Sequence, residues 1–436
     1  MRILVVSNLY PPHYMGGYEL GCRDIVAFLK ARGHNVKVLT STYGVGKTMH
    51  DEEVYRWLET GIKEKALGLP KHPSGILSKA IRTYTVFKFL HRIYKFINHY
   101  YGLVKKEVNN QNAFKRLCFT FKPDVIYVWN LAYVSVSMIF RAQVLGLPVC
   151  YYVFDNWLSR WETDPWYALW NRRHSSLSVR IVMIVLKFFL KVVNVLTTGS
   201  LDLQNAQYSS YYLKQFALQC GKEVTNTKVV HWGIDTNRFP FNPLTQKPTR
   251  LLYVGQIFPH KGVHTAIDAV KVLINEYGCD SVILSIVGGN MLSDYGQYLK
   301  NMVGTYNLES NVHFTGFLSH KHLASVYQEH DIFLFTSIWD EPFGITLLEA
   351  MSSGLAVIGT ATGGSSEILH SEINGLVFPK EDAKACADQI LRLMNDQALF
   401  EKIRQNGKRT VEKNFQFEQT VNSIEDLLQQ VIPQQR

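Results

Sequence analysis

Short apolar runs alternate with longer helical stretches along most of the chain, and this alternation limits the fold more than any other feature. The run Ile3–Ser7 precedes a helical stretch from Gly17 to Arg32, and a second run, Val36–Thr40, follows. Runs that are apolar throughout are typical of strands buried in a parallel sheet. The pattern predicts an α/β fold with a doubly wound parallel sheet. Further strands are predicted at Val125–Trp129, Val149–Val153 and Val195–Gly199.

A second series of the same kind follows a polar, proline-bearing stretch, Phe239–Thr249, which predicts a linker. The 436 residues also exceed what one hydrophobic core usually holds. We therefore predict two Rossmann-like doubly wound domains, 1–238 and 239–436, facing each other across a cleft, with the final helix free to pack back on the first domain. The strands predicted for the second domain are Leu251–Val254, Val282–Val287, Val312–Phe314, Ile332–Phe335, Ala356–Ile358 and Leu376–Phe378.

Neither secretion nor a membrane span is predicted. The N-terminus starts directly with a strand and lacks the pattern of a signal peptide. The longest apolar run, Ile181–Leu196, is interrupted by Lys187 and Lys191 and falls short of the about 20 residues that cross a bilayer. We predict that it forms a helix packed in the core. The six cysteines are scattered, without a Cys-x-x-Cys pair, which favours reduced thiols in a cytoplasmic protein.

The most informative motif runs from Glu341 to Ala350 and contains two glutamates, Glu341 and Glu349, separated by seven residues. It follows a predicted strand and opens a helix that stops at Gly354. Glu341 is expected in an exposed loop before the helix, and Glu349 more than one turn inside it. Main-chain N–H groups at a helix start lack partners within the helix and suit a diphosphate. The alternative is an ordinary helix with a solvated glutamate.

The Glu-x7-Glu stretch resembles the signature of the retaining glycosyltransferases of family 4, the glycosyl transferases group 1, which have the GT-B fold. Other blocks resemble the same family in order and spacing, from residue 3 to about 382, whereas residues 44–120 match nothing in it. These blocks are Tyr10-Pro11-Pro12, Gly16–Glu19, Gly33–Val36, Gly233-Ile234-Asp235, Val254-Gly255-Gln256, Lys261-Gly262, Gly363–Glu367 and Asn374–Val377.

The resemblance implies transfer of a sugar from a nucleoside-diphosphate-sugar donor, held on the second domain, to a hydroxyl of a glycan or lipid-linked glycan. It implies Glu341, Lys261 and Asp155 as catalytic residues. No cofactor is implied, and no Asp-x-Asp pair that could hold a divalent metal occurs in the sequence. The implied donor-binding residues are Gly16, Gly17, Gly255, Gln256, Lys261, Phe343, Gly344, Ile345, Thr346 and Glu349.

Two of these assignments have plain alternatives. Gly16 and Gly17 end the loop after the first strand, where main chain must approach a phosphate closely, but a glycine pair also forms ordinary turns. Lys261 lies between a strand and a helix, where a cation can neutralise a departing diphosphate. A solvated lysine at a helix start would have the same sequence.

The chain departs from the family pattern at two positions. Gln256 stands where the family usually has an arginine, so one phosphate contact lacks a charge, and nearby His260 is a candidate substitute. Phe154 stands where a histidine is common, so no role of that histidine applies here. Asp155 remains, after the strand Val149–Val153. The tryptophans that follow could form an aromatic wall for an acceptor or belong to the core: Trp157, Trp161 and Trp166.

The net charge of +10 comes from one segment. Residues 62–122 hold 13 Lys or Arg and 2 Asp or Glu, a net of +11, and the rest of the chain has a net of −1. Within it, residues 79–97 have the spacing of a basic, aromatic amphipathic helix, which predicts either contact with an anionic membrane surface on its cytoplasmic side or a helix that covers the sheet. No nucleic-acid-binding motif accompanies the charge, so nucleic acid is not an expected partner.

Two other functions fit the same blocks. A sugar-nucleotide epimerase could use the two-domain architecture, and a non-catalytic nucleotide-binding protein at a membrane surface would explain the substitutions at Gln256 and Phe154. Acceptor-dependent release of a nucleoside diphosphate would separate a transferase from both.

Overall fold

The computed structural model describes residues 1–44, 53–61, 85–171, 177–192, 201–222, 226–242 and 248–432. The chain divides into two compact units. The first unit comprises Met1–Gln207, Phe216–Lys228 and Glu425–Arg436, and the second unit comprises Tyr208–Gln215 and Val229–Ile424. The predicted strand Val195–Gly199 and part of the predicted linker lie outside the described residues.

A seven-stranded sheet runs through the first unit. Its strands are β1 (Arg2–Ser7), β2 (Asn35–Ser41), β3 (Val54–Leu58), β4 (Val125–Asn130), β5 (Val149–Val153), β6 (Ala206–Tyr208) and β7 (Lys228–Val229). They lie in the order β3-β2-β1-β4-β5-β6-β7, and β1 pairs in parallel with both β2 and β4. Strand order therefore reverses between β1 and β4, where open α/β sheets bind ligands at the carboxyl ends of their strands.

Within the described residues, six α-helices accompany this sheet along the chain. The helix predicted after the first strand is confirmed, and the helical spacing predicted within 79–97 corresponds to a long helix from residue 85, residues 79–84 being outside the described part. The helices are α1 (Gly17–Ala31), α2 (Thr85–Phe121), α3 (Ser137–Val144), α4 (Pro165–Asn171), α5 (Leu177–Val192) and α6 (Tyr211–Gln219). Within the described residues, no helix is both long and apolar enough to cross a bilayer.

The second unit contains a six-stranded sheet, and each of its six predicted strands overlaps an observed one. The strands are β8 (Arg250–Val254), β9 (Ile283–Val287), β10 (Val312–Gly316), β11 (Ile332–Phe335), β12 (Ala356–Gly359) and β13 (Leu376–Val377). They lie in the order β10-β9-β8-β11-β12-β13, with parallel pairing throughout. The helices that follow β8 in the chain are α7 (Val263–Asn275), α8 (Asp294–Thr305), α9 (His320–Gln328), α10 (Ile345–Ser353), α11 (Ala383–Asn395), α12 (Gln397–Asn414) and α13 (Phe417–Val431).

Three strands of the first sheet were not predicted from the sequence, and one helix was misjudged. Strand β3 lies at the sheet edge and is only partly buried, β6 has three residues and β7 has two, so none of them gives a long apolar run. The expectation that the run Ile181–Leu196 is packed in the core is wrong for one of its faces. Met183 and Leu190 of α5 are buried, but Ile184 and Phe188 are exposed.

Candidate functional site

The candidate donor site lies where strand order reverses in the second unit. That reversal falls between β8 and β11, so the loops after these two strands meet at the same edge of the sheet. The loop after β8 carries Lys261, and the loop after β11 carries Glu341. Residues 80 positions apart in sequence are thus brought together by topology.

Lys261 and Glu341 are in direct contact. Lys261 Nζ donates to Glu341 Oε1 at 2.6 Å. Most of both side chains is withdrawn from water, with 24% of the lysine and 9% of the glutamate exposed. Water therefore screens the pair less than it would screen an ion pair on the surface. The site combines a cation suited to a phosphate with a carboxylate suited to sugar hydroxyls.

Main-chain packing fixes the position of Lys261. Gly262 has a φ of +65°, and a Cβ at this position would lie 2.0 Å from the carbonyl oxygen of Thr336, so only glycine allows the two loops to touch. The hydroxyl of Thr336 donates to the carbonyl of Lys261 at 3.0 Å, and the N–H of Ile338 donates to the carbonyl of His260 at 3.0 Å. These bonds hold the cation-bearing turn on the loop after β11.

Glu341 is buried, which corrects the expectation of an exposed loop carboxylate. Its main chain is covered by the turn after β12. The N–H of Gly364 donates to the carbonyl of Glu341 at 2.6 Å, and a Cβ on Gly363 would lie 2.5 Å from that carbonyl oxygen. Gly363 also has a φ of +54°, so a larger residue there would be strained as well as crowded.

Glu349 lies in α10 and is held through both carboxylate oxygens. His320 Nε2 lies 3.0 Å from Oε1, and the hydroxyl of Tyr327 donates to Oε2 at 2.9 Å. Glu349 is buried, so the alternative of a solvated helix glutamate is wrong. Burial and the nearby Glu349 raise the pKa of Tyr327 well above its ordinary value, which keeps its hydroxyl protonated as a donor.

The other predicted donor residues of this unit occupy three settings. Gly344, Ile345 and Thr346 form the start of α10 as expected, with Gly344 at its N-cap. Phe343 packs its buried ring against His231, with ring centroids 5.7 Å apart, so only its main chain is positioned to meet a ligand. After β8, the N–H of Gly255 donates to the carbonyl of Val287 at 3.0 Å, and exposed Gln256 follows.

His260 does not replace the charge that Gln256 lacks. Its ring stacks on Phe258, with centroids 5.6 Å apart. Burial and then the positive charge of Lys261 lower the pKa of His260 below its ordinary value near 6.5. The imidazole is therefore mostly neutral at pH 7, and Lys261 is the cation that the geometry places beside Glu341.

Asp155 belongs to the first unit, directly after β5. Its Oδ2 accepts from Asn130 Nδ2 at 3.0 Å, and its Oδ1 accepts from the N–H of Trp157 at 2.9 Å. Burial raises the pKa of Asp155 to about 6, against the lowering effect of these hydrogen bonds. A carboxyl group that titrates near neutral pH at the carboxyl end of a sheet is a functional-site candidate.

The aromatic residues near Asp155 divide between core and surface. Trp161 and Trp166 are buried, which settles those two as core residues. Trp157 stays partly exposed, and its indole N–H donates to the carbonyl of Trp129 at 3.1 Å. Phe154 packs against Tyr18 with ring centroids 5.6 Å apart, so it fills space and offers no polar group.

The Gly16–Gly17 loop lies after β1, at the reversal point of the first sheet. Gly16 is the N-cap of α1, and its N–H donates to Glu19 Oε2 at 3.0 Å. Burial raises the pKa of Glu19 above its ordinary value. At this helix start, the N–H of Gly16 is therefore already used in a hydrogen bond and is not open to a phosphate. Binding of the sugar donor by Gly16 and Gly17 stays a prediction.

The second unit is similar to a known protein family. Residues 235–410 match the family model of the glycosyl transferases group 1. Over this range the second unit is similar to the glycosyl transferases group 1. The Lys261–Glu341 pair, Glu349 and the start of α10 all lie inside the matched range.

Curated relatives and a solved structure are also similar to this chain. The putative glycosyltransferase YtcC of Bacillus subtilis is 28% identical over 249 residues, which cover 51% of this chain and 59% of YtcC. The lipopolysaccharide core biosynthesis mannosyltransferase LpsB of Rhizobium meliloti is 30% identical over 217 residues, 46% of this chain and 60% of LpsB. HepE of Anabaena, solved with UDP and glucose, superimposes with a TM-score of 0.67 at 18% identity, covering 98% of this chain and 99% of HepE.

These comparisons confirm the predicted fold class, α/β with two Rossmann-like sheets of the GT-B type. The chain spans about 60% of the length of the two curated relatives named above. At 18% identity the likeness to HepE concerns the fold. Within the described part of the chain, no group of three or more His, Cys, Asp or Glu is arranged to hold a metal ion.

Three residues that position the site were not found from the sequence. His320 and Tyr327 hold Glu349 from the neighbouring helix α9, and Asn130 holds Asp155 from the end of β4. Each contact depends on which elements are neighbours in space, and neither residue type nor spacing along the chain signals it. The position of Asn130 at the carboxyl end of a predicted strand was the only available hint.

Replacing Glu349 by alanine is expected to raise the KM for the donor by about 10- to 100-fold and to change kcat much less, because a hydrogen bond to a charged group contributes about 1.5–3 kcal/mol. The Glu349 carboxylate lies within α10 and is held by His320 and Tyr327, whereas Lys261 and Glu341 contact each other. Steady-state kinetics over a range of donor concentrations separate the two constants. Tyr327→Phe is the matched control, since it removes only a hydroxyl that holds Glu349, and it should show a smaller rise. An unchanged KM in Glu349→Ala would remove Glu349 from the donor site.

Proposed function

We propose that the protein is a retaining glycosyltransferase that moves a sugar from a nucleoside-diphosphate-sugar donor to a hydroxyl of a glycan or lipid-linked glycan. The observation that carries the proposal is the Lys261–Glu341 contact beside the start of α10, inside the range that is similar to the glycosyl transferases group 1. A cation, a carboxylate and a helix N-terminus are the groups that a sugar diphosphate needs.

In the proposed donor complex, the diphosphate lies at the start of α10 beside Lys261. The sugar lies near Glu341, whose carboxylate accepts hydrogen bonds from sugar hydroxyls, and the ribose lies near Glu349. Gly255 and Gln256 are proposed to complete the donor site of the second unit, and donor binding by Gly16 and Gly17 stays a prediction. Arrival of the diphosphate would draw Lys261 from Glu341 and free the carboxylate for the sugar.

The proposed reaction breaks the bond between the anomeric carbon and the departing phosphate oxygen. The acceptor oxygen bonds to the anomeric carbon on the same face, and its proton passes to the departing phosphate oxygen. No covalent enzyme intermediate forms, and no metal is required. Negative charge on the diphosphate grows as the bond breaks, so a positioned cation stabilises the transition state more than the bound donor.

Asp155 is proposed to orient the acceptor hydroxyl in its ionised form. With a pKa raised to about 6, the carboxyl group is protonated below that pH and ionised above it. We therefore expect kcat/KM to fall as the pH decreases through about 6. In Asp155→Asn this acid limb should disappear from the pH profile, and the rate should be low throughout. A variant that keeps the limb would assign the titration to another group.

The raised pKa of Asp155 also predicts how the stability of the fold changes with pH. Because the folded state holds the proton on Asp155 more tightly than the unfolded chain does, ionisation destabilises the fold as the pH rises from the ordinary pKa through about 6. Asp155→Asn removes that cost, so its melting temperature should equal or exceed that of the wild type at pH 7. Loss of activity in a well-folded variant would then reflect function.

A donor screen tests the proposal as a whole. The full chain is incubated with nucleoside-diphosphate sugars, with and without membrane-derived lipid-linked or polysaccharide acceptors, and release of free nucleoside diphosphate is measured. A transferase releases it in an acceptor-dependent manner, and NMR should show that the transferred sugar keeps the anomeric configuration of the donor. An epimerase would change the sugar without needing an acceptor, and a non-catalytic protein would release nothing.

We also propose that the protein acts at the cytoplasmic face of a membrane, where lipid-linked acceptors are found. Support comes from the net charge of +11 in residues 62–122 and from the basic, aromatic spacing of residues 79–97. Nucleic acid is not among the proposed partners.

A further inference from the structure

Helix α5 has two apolar faces, and among the described residues only one of them is covered. On the covered face, Met183 and Leu190 pack in a cluster with Trp166, Leu169 and Trp170. That cluster ties α5 to α4 and anchors the helix in the first unit.

The second apolar face of α5 is open to solvent. Its exposed fractions are 55% for Ile181, 65% for Ile184, 64% for Val185 and 70% for Phe188. Their spacing of three, one and three residues places them in a single stripe along the helix. Isolated exposed apolar residues are common, but a contiguous stripe of four large side chains marks an interaction surface.

Cations border this stripe. At 100° per residue, Arg180, Lys187 and Lys191 fall along one edge of it. Arg180 and Lys191 are exposed, and Lys187 is partly exposed. The sequence from 165 to 201 contains five Lys or Arg and no Asp or Glu. A partner for this surface must therefore be apolar in the middle and negatively charged along one side.

We propose that the open face of α5 binds an anionic lipid bilayer, with the helix lying in the plane of the interface. Ile184, Val185 and Phe188 would enter the boundary between headgroups and acyl chains, and the cationic edge would contact lipid phosphates. This is the arrangement of an interfacial amphipathic helix. A second copy of the chain fits less well, because α5 offers no acidic group to the cations of its mate.

The proposal is independent of the transfer reaction, so its test needs neither donor nor acceptor. Flotation of the full chain is measured with vesicles of phosphatidylcholine alone and of phosphatidylcholine mixed with phosphatidylglycerol. The wild type should bind the anionic vesicles. Changing Ile184, Val185 and Phe188 together to serine should lower the partition coefficient at least about tenfold, because the buried apolar area supplies most of the binding.

Phe119→Ser is the matched control. Phe119 is 81% exposed on α2, in the same unit, but the residues three and four positions before it, Arg116 and Lys115, are basic, so it belongs to no apolar stripe. The partition coefficient of the Phe119→Ser variant on anionic vesicles should stay within about twofold of the wild type, since an apolar side chain outside the interface buries no area there. All replaced side chains are exposed, so melting temperatures should be unchanged.

A charge variant separates the electrostatic contribution to vesicle binding from the apolar contribution. Arg180, Lys187 and Lys191 changed together to glutamine should weaken binding at low salt by about fivefold per cation, and less at high salt. A second variant, with Lys88, Arg92 and Lys95 changed together to glutamine, tests the basic segment in the same assay.

Absence of wild-type binding, or binding of the α5 serine variant equal to the wild type, would overturn the proposal. So would a wild-type dimer in sedimentation that the serine variant turns into a monomer, because the face would then join two protein copies.

Discussion

Replacing Lys261 by alanine is expected to lower kcat by about 10²- to 10³-fold, the effect of removing one positioned group that stabilises developing charge. The dissociation constant of the donor should change much less, because the diphosphate gains charge only as the sugar bond breaks. The loss should be near the upper end of this range, since Gln256 adds no charge and the lowered pKa of His260 leaves it mostly neutral at pH 7. Single-turnover kinetics with saturating donor measure the chemical step directly.

Two further variants separate charge from packing at this position. Lys261→Met keeps most of the stem and removes the charge, so it should lose as much rate as Lys261→Ala. Lys261→Arg keeps the charge with a different shape and should recover part of the rate. If Lys261→Ala only raised the KM for the donor, leaving-group stabilisation would be the wrong role for this residue.

Replacing Glu341 by alanine is expected to reduce turnover by a comparable factor of about 10² or more, through loss of sugar positioning. The structure adds a second consequence, because Glu341 is the partner of Lys261 at 2.6 Å. Without the carboxylate, Lys261 is free to bind the diphosphate more tightly before reaction. Donor affinity should therefore hold or increase while kcat falls.

Glu341→Gln is the control for shape, because it keeps hydrogen-bonding capacity without the charge, and it should retain more activity than Glu341→Ala. The double variant Lys261→Ala, Glu341→Ala should lose less rate than the product of the two single losses, since the residues are in contact. A Glu341→Ala variant with normal kcat and a normal melting temperature would exclude Glu341 from the site.

The fold could be predicted well where apolar runs are long and buried. All six strands of the second sheet were located, because most of them are apolar runs between helical stretches; β10, with His313 and Thr315, is the exception. The short strand β6 and the partly buried edge strand β3 gave too little signal. The exposed face of α5 was misjudged because its apolar residues surround the helix, and sequence alone does not tell which side has a partner.

The residues of the candidate site could be predicted from the sequence, but the contacts between them could not. Glu341, Glu349 and Lys261 were found from a motif and its position relative to strands. Their contacts were not predicted. The Lys261–Glu341 contact depends on the adjacency of β8 and β11, and the contact of His320 with Glu349 depends on the position of α9. The pairing also explains why Glu341 is buried where an exposed loop residue was expected.

The central claim is that the reversal point of the second sheet binds a nucleoside diphosphate. Isothermal titration calorimetry of the full chain with UDP, GDP, ADP and dTDP tests this most directly, since it needs neither the sugar nor the acceptor. The account predicts one-to-one binding of one of these nucleotides, weakened at least about tenfold in Glu349→Ala, where a charged hydrogen-bonding group is lost. Failure of the folded wild-type chain to bind any of them, or binding that Glu349→Ala leaves unchanged, would contradict the account.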